Sequence, residues 1–282
     1  MKFKGIWLLF FLIFSLKTSE SMDIVCFDVG QGNCTLVVPK KEASPFLIVD
    51  CGSSSNKART SSKNPTQDLI DSLSNFILDS AQTVSPGKAK DLIIIISHPD
   101  EDHYNLLAPL VTEFFKNRNI FAIRHILLGG EKSDYKVCVK WKNKKVVFKD
   151  FIEDMLLNHG IATLFPTQLN TSCNVLKPIQ ADYPFQIFFV PKNSKYKDAK
   201  MDANTNAMSL IVQVIFDGKK ALIQGDATDQ TTKLHLNIAN ESITPEPLES
   251  SIDAPNYELT VLKERYTISN RHCITSWSIG TL

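Results

Sequence analysis

Short apolar runs separated by glycine, proline and polar clusters recur along the chain and predict β-strands. The run at residues 92–96 is entirely apolar, which is typical of a strand buried on both faces of a sheet. Asp217 and Gly218 lie between two further runs, and this dipeptide is a strong signal for a tight hairpin. The predicted strands cover residues 24–28, 34–38, 46–50, 92–96, 121–128, 185–190, 209–216 and 220–224.

Apolar residues that recur three and four positions apart predict helices between the strands. This spacing is clearest at residues 68–81, and it returns at residues 106–115 and 151–158, where the last helix should end near Gly160. Residues 240–256 are polar and contain prolines, so they predict a loop. Because strands come in runs with helices between the groups, the pattern predicts an α/β fold of two sheets flanked by helices.

Residues 135–148 alternate lysine with apolar residues, which predicts a hairpin with one basic face. Such a face is suited to the phosphates of a nucleic acid. Lysines also protect exposed edge strands from pairing with other chains, and the sequence leaves both interpretations open. The lysines of this region are Lys136, Lys140, Lys142, Lys144, Lys145 and Lys149.

Composition excludes several classes of protein. The chain has 282 residues, of which 43% are hydrophobic, and its net charge is +1. It is therefore too apolar and too weakly charged to be a disordered chain. A charge near zero also gives no general attraction to nucleic acids or anionic membranes, so any such attraction must be local. The length suits one large α/β domain or two small ones.

The N-terminus predicts export. Lys2 and Lys4 precede an apolar stretch at residues 6–16, and small and polar residues follow, so residues 1–21 are interpreted as a signal peptide. The stretch is too short for a stable membrane span, which needs roughly twenty apolar residues. We expect a periplasmic or extracellular protein; the alternatives are an uncleaved leader that anchors the chain and translation from Met22.

The six cysteines show neither a Cys-x-x-Cys spacing nor a regular framework. In a chain of this length they are interpreted as small apolar residues of the core rather than metal ligands. Cys26, Cys34 and Cys51 lie on or beside the first predicted strands and could pair in an exported protein. The sequence does not say which of them would do so.

The segment that carries chemistry directly follows the wholly apolar strand. From His98 to His103 it holds two imidazoles and the carboxylates of Asp100, Glu101 and Asp102. Charges at the mouth of an apolar strand are costly unless something compensates them. A divalent cation would do so, because imidazole and carboxylate ligands suit zinc, manganese or iron. A solvated acidic loop that caps a helix is the simpler alternative.

The pattern His98-x-Asp100-x-Asp102-His103 resembles the metal-binding signature of metallo-β-lactamase-fold hydrolases, His-x-His-x-Asp-His, with Asp100 in place of the second histidine. This replacement, with a Phe-Asp-Val-Gly-Gln-Gly motif upstream, resembles the hydrolase-like domain of the ComEC-type competence proteins. Further motifs follow in the family's order over about residues 22–226. They are Phe27–Gly32 itself, the strand and turn at residues 47–52, Asn206 with Ser209, and Gly225 with Asp226.

The resemblance implies two divalent metal ions, zinc or manganese. His98 and Asp100 would bind one ion, Asp102 and His103 the other, and Asp226 would bridge them. Asp102 and His103 are also the implied catalytic residues. Two metals would lower the pKa of a shared water and stabilise the charge that develops on a phosphoryl or acyl group.

The resemblance also implies the fold and the substrate. Residues 22–265 would form an αββα sandwich with the metals at one edge of the two sheets, and a phosphodiester such as DNA would be the substrate. Asp28 and Asp50 follow apolar strands and are expected to support the metal loops by hydrogen bonds rather than to bind metal.

The C-terminus departs from the family pattern. Family members carry a His-His-Gly segment after the Gly-Asp motif, whereas the histidines beyond Asp226 are His235 and His272. Residues 266–282 show no helix or strand period. Read one base later, codons for residues 273–278 permit Ala-Ser-His-His-Gly, so we interpret this atypical tail as frameshifted and the sandwich as truncated. Loss of the last ligand would leave one metal retained.

The sequence therefore predicts an exported, metal-dependent hydrolase that acts on phosphodiesters. The missing His-His-Gly segment favours an alternative, a catalytically impaired remnant that keeps the fold and partial metal binding. The intact cluster at residues 98–103 favours the hydrolase. A hydrolase of small esters or lactams is a third interpretation, and the replacement at Asp100 argues against it.

Overall fold

A computed structural model describes the parts of the chain that form the fold. The predicted signal peptide, the predicted loop at residues 240–256, His235 and His272 lie outside the described residues, as do Asp217 and Gly218. The described residues are 22–53, 65–168, 175–176, 184–190, 205–216, 219–228, 231–232, 259–261 and 275–278.

Strands and short helices alternate through the first half of the chain, and strands dominate the second. The helices are α1 (Pro65–Val84), α2 (Glu101–Tyr104), α3 (Leu107–Lys116) and α4 (Phe148–His159). The strands are β1 (Met22–Cys26), β2 (Thr35–Pro39), β3 (Phe46–Val49), β4 (Lys90–Ile96), β5 (Phe121–Leu128), β6 (Cys138–Trp141), β7 (Lys144–Val147), β8 (Ala162–Leu164), β9 (Val175–Leu176), β10 (Phe185–Phe188), β11 (Ile211–Phe216), β12 (Lys219–Ile223), β13 (Leu259–Val261) and β14 (Thr275–Ser278).

The strands form two large sheets and one hairpin. The first sheet has the order β14-β1-β2-β3-β4-β5-β8, antiparallel from β14 to β3 and parallel from β3 to β8. The second has the order β13-β12-β11-β10-β9 and is antiparallel except where β12 meets β13. β6 pairs only with β7 among the described strands.

Strand β4 shows why both faces of the first sheet are apolar. Its residues Ile94 and Ile96 belong to a core shared with α1, α3 and α4, whereas Ile93 and Ile95 belong to a core shared with the second sheet. Successive side chains of a strand point to opposite faces, so a run of isoleucines serves both cores. The predicted double burial of this strand is confirmed.

The chain is therefore a mixed α/β protein, as the sequence predicts. Helices cover one face of the first sheet, and the second sheet packs on the other face. No helix within the described ranges is long and apolar enough to cross a bilayer.

The predicted strands and helices are present with shifted bounds, and four edge strands, β8, β9, β13 and β14, were not predicted. The helix expected at residues 68–81 extends over Pro65–Val84, and the one expected at residues 151–158 begins at Phe148. β8 and β14 are three and four residues long. Strands this short are determined by the neighbours with which they pair rather than by their own pattern. β14 lies in the tail for which the sequence pattern predicts no regular element.

The predicted basic hairpin is confirmed as β6 and β7. Lys142 and Asn143 form its turn with φ values of 48° and 63°, the left-handed conformation that a tight two-residue hairpin requires. Trp141 is buried, whereas Lys140 lies directly opposite Lys145 and both are exposed. The hairpin therefore presents one apolar face to the protein and one basic face to solvent.

Candidate metal centre

Two buried histidines follow β4: His98 precedes the single helical turn of α2, and His103 lies within it. Asp100 is extended, with φ −78° and ψ 139°, and the turn of α2 follows directly. This geometry brings His98 and His103 together, so that their ring centroids lie 4.0 Å apart. They are 0% and 2% exposed.

Asp50 is the carboxylate that holds this pair in place. It follows β3 with φ 59° and is fully buried. Oδ1 accepts a hydrogen bond from the Ser97 amide at 2.6 Å, and Oδ2 accepts one from Ser97 Oγ at 2.8 Å and one from Asn33 Nδ2 at 3.1 Å. Oδ2 also lies 2.8 Å from His103 Nδ1. Asp50 thus acts as a hydrogen-bonding support, as the sequence predicts.

The hydrogen bonds place a proton on Nδ1 of both histidines. Ser97 Oγ donates its one proton to Asp50, so at 2.9 Å it accepts a proton from His98 Nδ1. His103 Nδ1 likewise donates to Asp50. Both rings therefore turn Nε2 toward the site, and a hydrogen bond at the other nitrogen is how proteins orient histidine ligands.

Asp226 reaches the site from the second sheet. β12 ends at Ile223, and Gly225 then has φ 54°. A Cβ at Gly225 would lie 2.6 Å from Ser97 Oγ, so this position requires glycine for both its conformation and its close contact. The turn brings Asp226 Oδ2 to 3.6 Å from His103 Nε2. The carboxylate remains 57% exposed, so the site opens to solvent.

His98, His103 and Asp226 form a possible metal-binding triad. One ligand atom from each lies within 4.8 Å of the other two. His98 Nε2 is buried and has no hydrogen-bond partner among the described residues; Asp100 Oδ2, at 3.2 Å, has the distance of an ion pair but not the angles of a hydrogen bond. A buried nitrogen of this kind is costly without a partner. Two imidazoles and one carboxylate suit zinc and similar ions, so these residues fit one divalent cation.

The pKa values of the two histidines shift in opposite directions. Burial and the neighbouring His103 lower the pKa of His98. Burial alone would lower the pKa of His103, but the charge of Asp50 and hydrogen bonds to Asp226 and Asp50 raise it to about 10. The hydrogen bond with His103 lowers the pKa of Asp226. His103 therefore carries the positive charge that balances two carboxylates, a role that a bound cation would take over.

Backbone hydrogen bonds from two other loops hold the segment of residues 98–103 in place. The Asn33 amide donates to the Asp102 carbonyl at 3.2 Å, and the Cys51 amide donates to the His103 carbonyl at 2.7 Å. The Gly52 amide donates to the Asn33 carbonyl at 3.1 Å, and a Cβ at Gly52 would lie 2.4 Å from the Asp102 carbonyl carbon. These contacts explain why the Gly-rich motif and the turn after β3 accompany the histidine segment in the sequence.

The structure brings together some, but not all, of the predicted metal ligands. His98, His103 and Asp226 converge, and Asp100 is within 3.2 Å of His98 Nε2. Asp102 lies in the first turn of α2 and is half-buried. The triad found among the described residues includes neither Asp100 nor Asp102. A second ion held by Asp102 and His103 therefore stays a prediction.

The motif of Asn206 and Ser209 precedes β11 and supports the same loop. The Ser209 amide donates to the Asn206 carbonyl at 3.2 Å, and the next amide, of Leu210, donates to the Ser97 carbonyl at 2.8 Å. The second sheet thus holds the end of β4 through its backbone as well as through Gly225.

Two residues that support the histidine pair through Asp50 were not predicted from the sequence. Ser97 links Asp50 to His98, and Asn33 donates to Asp50. A small polar residue directly after a buried strand is a signal that would have indicated Ser97. Asn33 carries no such signal, because its partner is 17 residues away in the chain.

No family model matches the chain, and no curated protein is significantly similar to it.

Proposed function

We propose that the protein is a metal-dependent hydrolase with an αββα sandwich of the metallo-β-lactamase type, similar to the ComEC-type domain, and that it acts on phosphodiesters such as DNA. One observation carries the proposal: two buried histidines and Asp226 converge where the ends of two sheets meet, with Asp50 behind them. The N-terminal pattern adds export to the proposal.

The chain's own residues would bind the cation and fix the orientation of the two histidine rings. His98 and His103 would hold the cation through Nε2, and Asp226 would add a negative charge from the solvent side. Asp50 and Ser97 keep both rings in one tautomer and one orientation. A divalent cation at this place supplies Lewis acidity and lowers the pKa of water. The exposed side of Asp226 leaves room for a substrate phosphate.

The basic hairpin supports a phosphodiester substrate. Lys140 and Lys145 face each other across β6 and β7, and like charges in this position are unfavourable unless an anion compensates them. The chain segment that leads into the hairpin contacts the helix of His103. The Val137 amide donates to the hydroxyl of Tyr104, the residue after His103, at 3.4 Å. A phosphate chain lying on the hairpin would thus contact an element that is hydrogen-bonded to the helix of His103.

A catalytically impaired remnant is the second candidate function. The triad supplies three ligands for one ion, and Asp102 is not part of it. A single ion without a second would bind to this protein but would not stabilise both the attacking and the leaving oxygen of a phosphodiester.

The first experiment measures metal content and phosphodiesterase activity on the full chain. After dialysis against metal-free buffer, we expect at least one zinc or manganese ion per chain, and hydrolysis of bis(p-nitrophenyl) phosphate. His98→Ala and Asp226→Asn should lose both. His125→Ala, which alters a half-buried histidine of β5 outside the triad, should keep both.

The variant Asp102→Asn separates the two candidates. If a second ion binds there, this variant should lose one of two ions and its activity. If the wild type and Asp102→Asn each bind one ion and neither hydrolyses the phosphodiester, the result would support the catalytically impaired remnant. A chain that binds no ion would refute both.

A further inference from the structure

Cys34 and Cys51 each follow a residue that supports the candidate metal centre, Asn33 and Asp50 respectively. A hydrogen bond with Cys51 and burial raise the pKa of the Cys34 thiol, and the two residues are 1% and 0% exposed. Both belong to the core on the helical face of the first sheet. The contact is independent of the metal triad, since neither sulfur takes part in it.

The backbone around this pair brings the two chain segments into contact. β2 and β3 are antiparallel, with Thr35 opposite Val49, so the strand register alone would place Asp50 opposite Cys34. Asp50 has φ 59°, and beyond it the Gly52 amide donates to the Asn33 carbonyl at 3.1 Å, so the register shifts by one residue and Cys51 lies opposite Cys34. A disulfide needs the two α-carbons within roughly 7 Å, and directly hydrogen-bonded segments satisfy this requirement.

Cys26 is the competing partner. It lies on β1 directly opposite Thr35, and its sulfur accepts a hydrogen bond from Thr35 Oγ1 at 3.8 Å. Neighbouring side chains of a strand point to opposite faces, so the residue that faces Cys26 across the sheet is Thr35 rather than Cys34. The geometry favours Cys51 as the partner of Cys34.

We propose that Cys34 and Cys51 form a disulfide that fastens the loop of Asp50 to β2. Cys51 follows Asp50 in the chain, and its amide holds the His103 carbonyl. The bond would therefore add a covalent constraint to the segment that orients His103.

The oxidant is a small disulfide such as oxidised glutathione. One cysteine thiolate attacks a glutathione sulfur, which releases one glutathione thiolate and forms a mixed disulfide. The second cysteine then attacks the protein sulfur of the mixed disulfide and releases the second glutathione. The protein loses two thiol protons and two electrons, and one glutathione disulfide becomes two thiols.

Burial determines when this reaction occurs. Thiol exchange requires access to the sulfur, and both sulfurs are buried in the folded chain. We expect the bond to form before the core closes during folding and to resist reduction afterwards. The folded, oxidised protein should keep the bond in millimolar dithiothreitol and lose it when urea is added.

Peptide mapping of the full wild-type chain tests the pairing without a variant. The chain is refolded in a glutathione redox buffer, its remaining thiols are alkylated, and it is cleaved before aspartate. Cleavage at Asp23, Asp28, Asp50 and Asp68 places Cys26, Cys34 and Cys51 in separate peptides, residues 23–27, 28–49 and 50–67. We expect residues 28–49 linked to residues 50–67. Alkylation of Cys34 and Cys51, or a link from either to Cys26, would overturn the proposal.

Thermal unfolding then measures how much the disulfide stabilises the protein. The bond closes a loop between residues 34 and 51, and oxidation should raise the melting temperature by roughly 5–10 °C. The double variant Cys34→Ala, Cys51→Ala should lose this redox dependence. The matched variant Cys26→Ala, Cys138→Ala should keep it. Equal redox dependence in both variants would contradict the assignment. Because mapping and melting are done without added metal, their outcome is separate from that of the proposed function.

Discussion

At the scale of single residues, Asp50 is the centre on which the candidate site depends. It is a non-glycine residue with positive φ, a conformation that aspartate tolerates better than most residues. Its carboxylate contacts Ser97, Asn33 and His103 in a fully buried position. A buried charge with this many partners is stable only while every partner remains.

We therefore expect Asp50→Asn to destabilise the metal-free protein. In either orientation the amide nitrogen would face at least one donor that the carboxylate now accepts, and removal of one partner from a buried charge pair costs about 3 kcal/mol. Its zinc affinity should fall roughly 10- to 100-fold, as for other residues that orient metal ligands. Urea unfolding and zinc titration measure the two effects.

Asp71→Asn is the control, because Asp71 is exposed on α1 and its Oδ1 accepts a hydrogen bond from Gln67 Nε2 within the same helix. It should leave stability and zinc affinity close to those of the wild type. Equal effects of the two substitutions would show that burial of Asp50 is not the cause.

At the scale of elements, the close contact between the ends of β4 and β12 forms the site. Gly225 makes this contact possible, since a Cβ there would lie 2.6 Å from Ser97 Oγ. We expect Gly225→Ala to displace Asp226 and to weaken zinc binding roughly 10-fold or more. Zinc titration of the folded variant measures it.

Gly160→Ala separates conformational strain from the steric clash. Gly160 has φ 65° and ends α4, and a Cβ there would meet no atom within 4 Å. Its substitution should cost about 1 kcal/mol through the left-handed conformation alone and leave zinc affinity unchanged. A similar loss of zinc affinity in both variants would argue against the contact with Ser97.

Asp154 connects the basic hairpin to α4. Burial raises the pKa of Asp154, but hydrogen bonds from Lys142, Asn158 and Trp141 lower it to about 2. A carboxyl whose folded pKa lies below its unfolded value stabilises the fold above the unfolded pKa. This contribution should be lost as the pH falls from about 4 to about 2.

Urea unfolding of the wild type and of Asp154→Asn at several pH values tests this dependence. At neutral pH the variant should be less stable than the wild type. The difference should shrink as the pH falls through that range, because protonation removes the same charge from the wild type. A constant difference between pH 5 and pH 2 would refute the assignment.

At the scale of the whole molecule, the triad joins residues from both sheets. A cation bound to His98, His103 and Asp226 would therefore link the first sheet to the second. Zinc at 100 times its dissociation constant should raise the free energy of unfolding by about 2.7 kcal/mol. His98→Ala should abolish this increase, whereas His125→Ala should retain it. Unchanged stability of the wild type with zinc would show that the triad does not bind the ion.

Much of the fold follows from local patterns. Runs of apolar residues predicted the inner strands of both sheets, and helical spacing predicted α1, α3 and α4. These patterns can be recognised in the sequence because burial gives apolar residues a period of two in strands and of about 3.6 in helices. The edge strands β8, β9, β13 and β14 were missed, since two to four residues carry too little period to be recognised.

The sequence by itself also determined which residues carry the chemistry, because His98 and His103 follow an apolar strand and Asp226 follows another. Only the tertiary structure decided which of them converge, since ligands 123 residues apart are brought together by the packing of two sheets and not by spacing along the chain. The same holds for Cys34 and Cys51. The sequence left their pairing open, and the proposed pair depends on the shift of register at Asp50, which only the folded backbone shows.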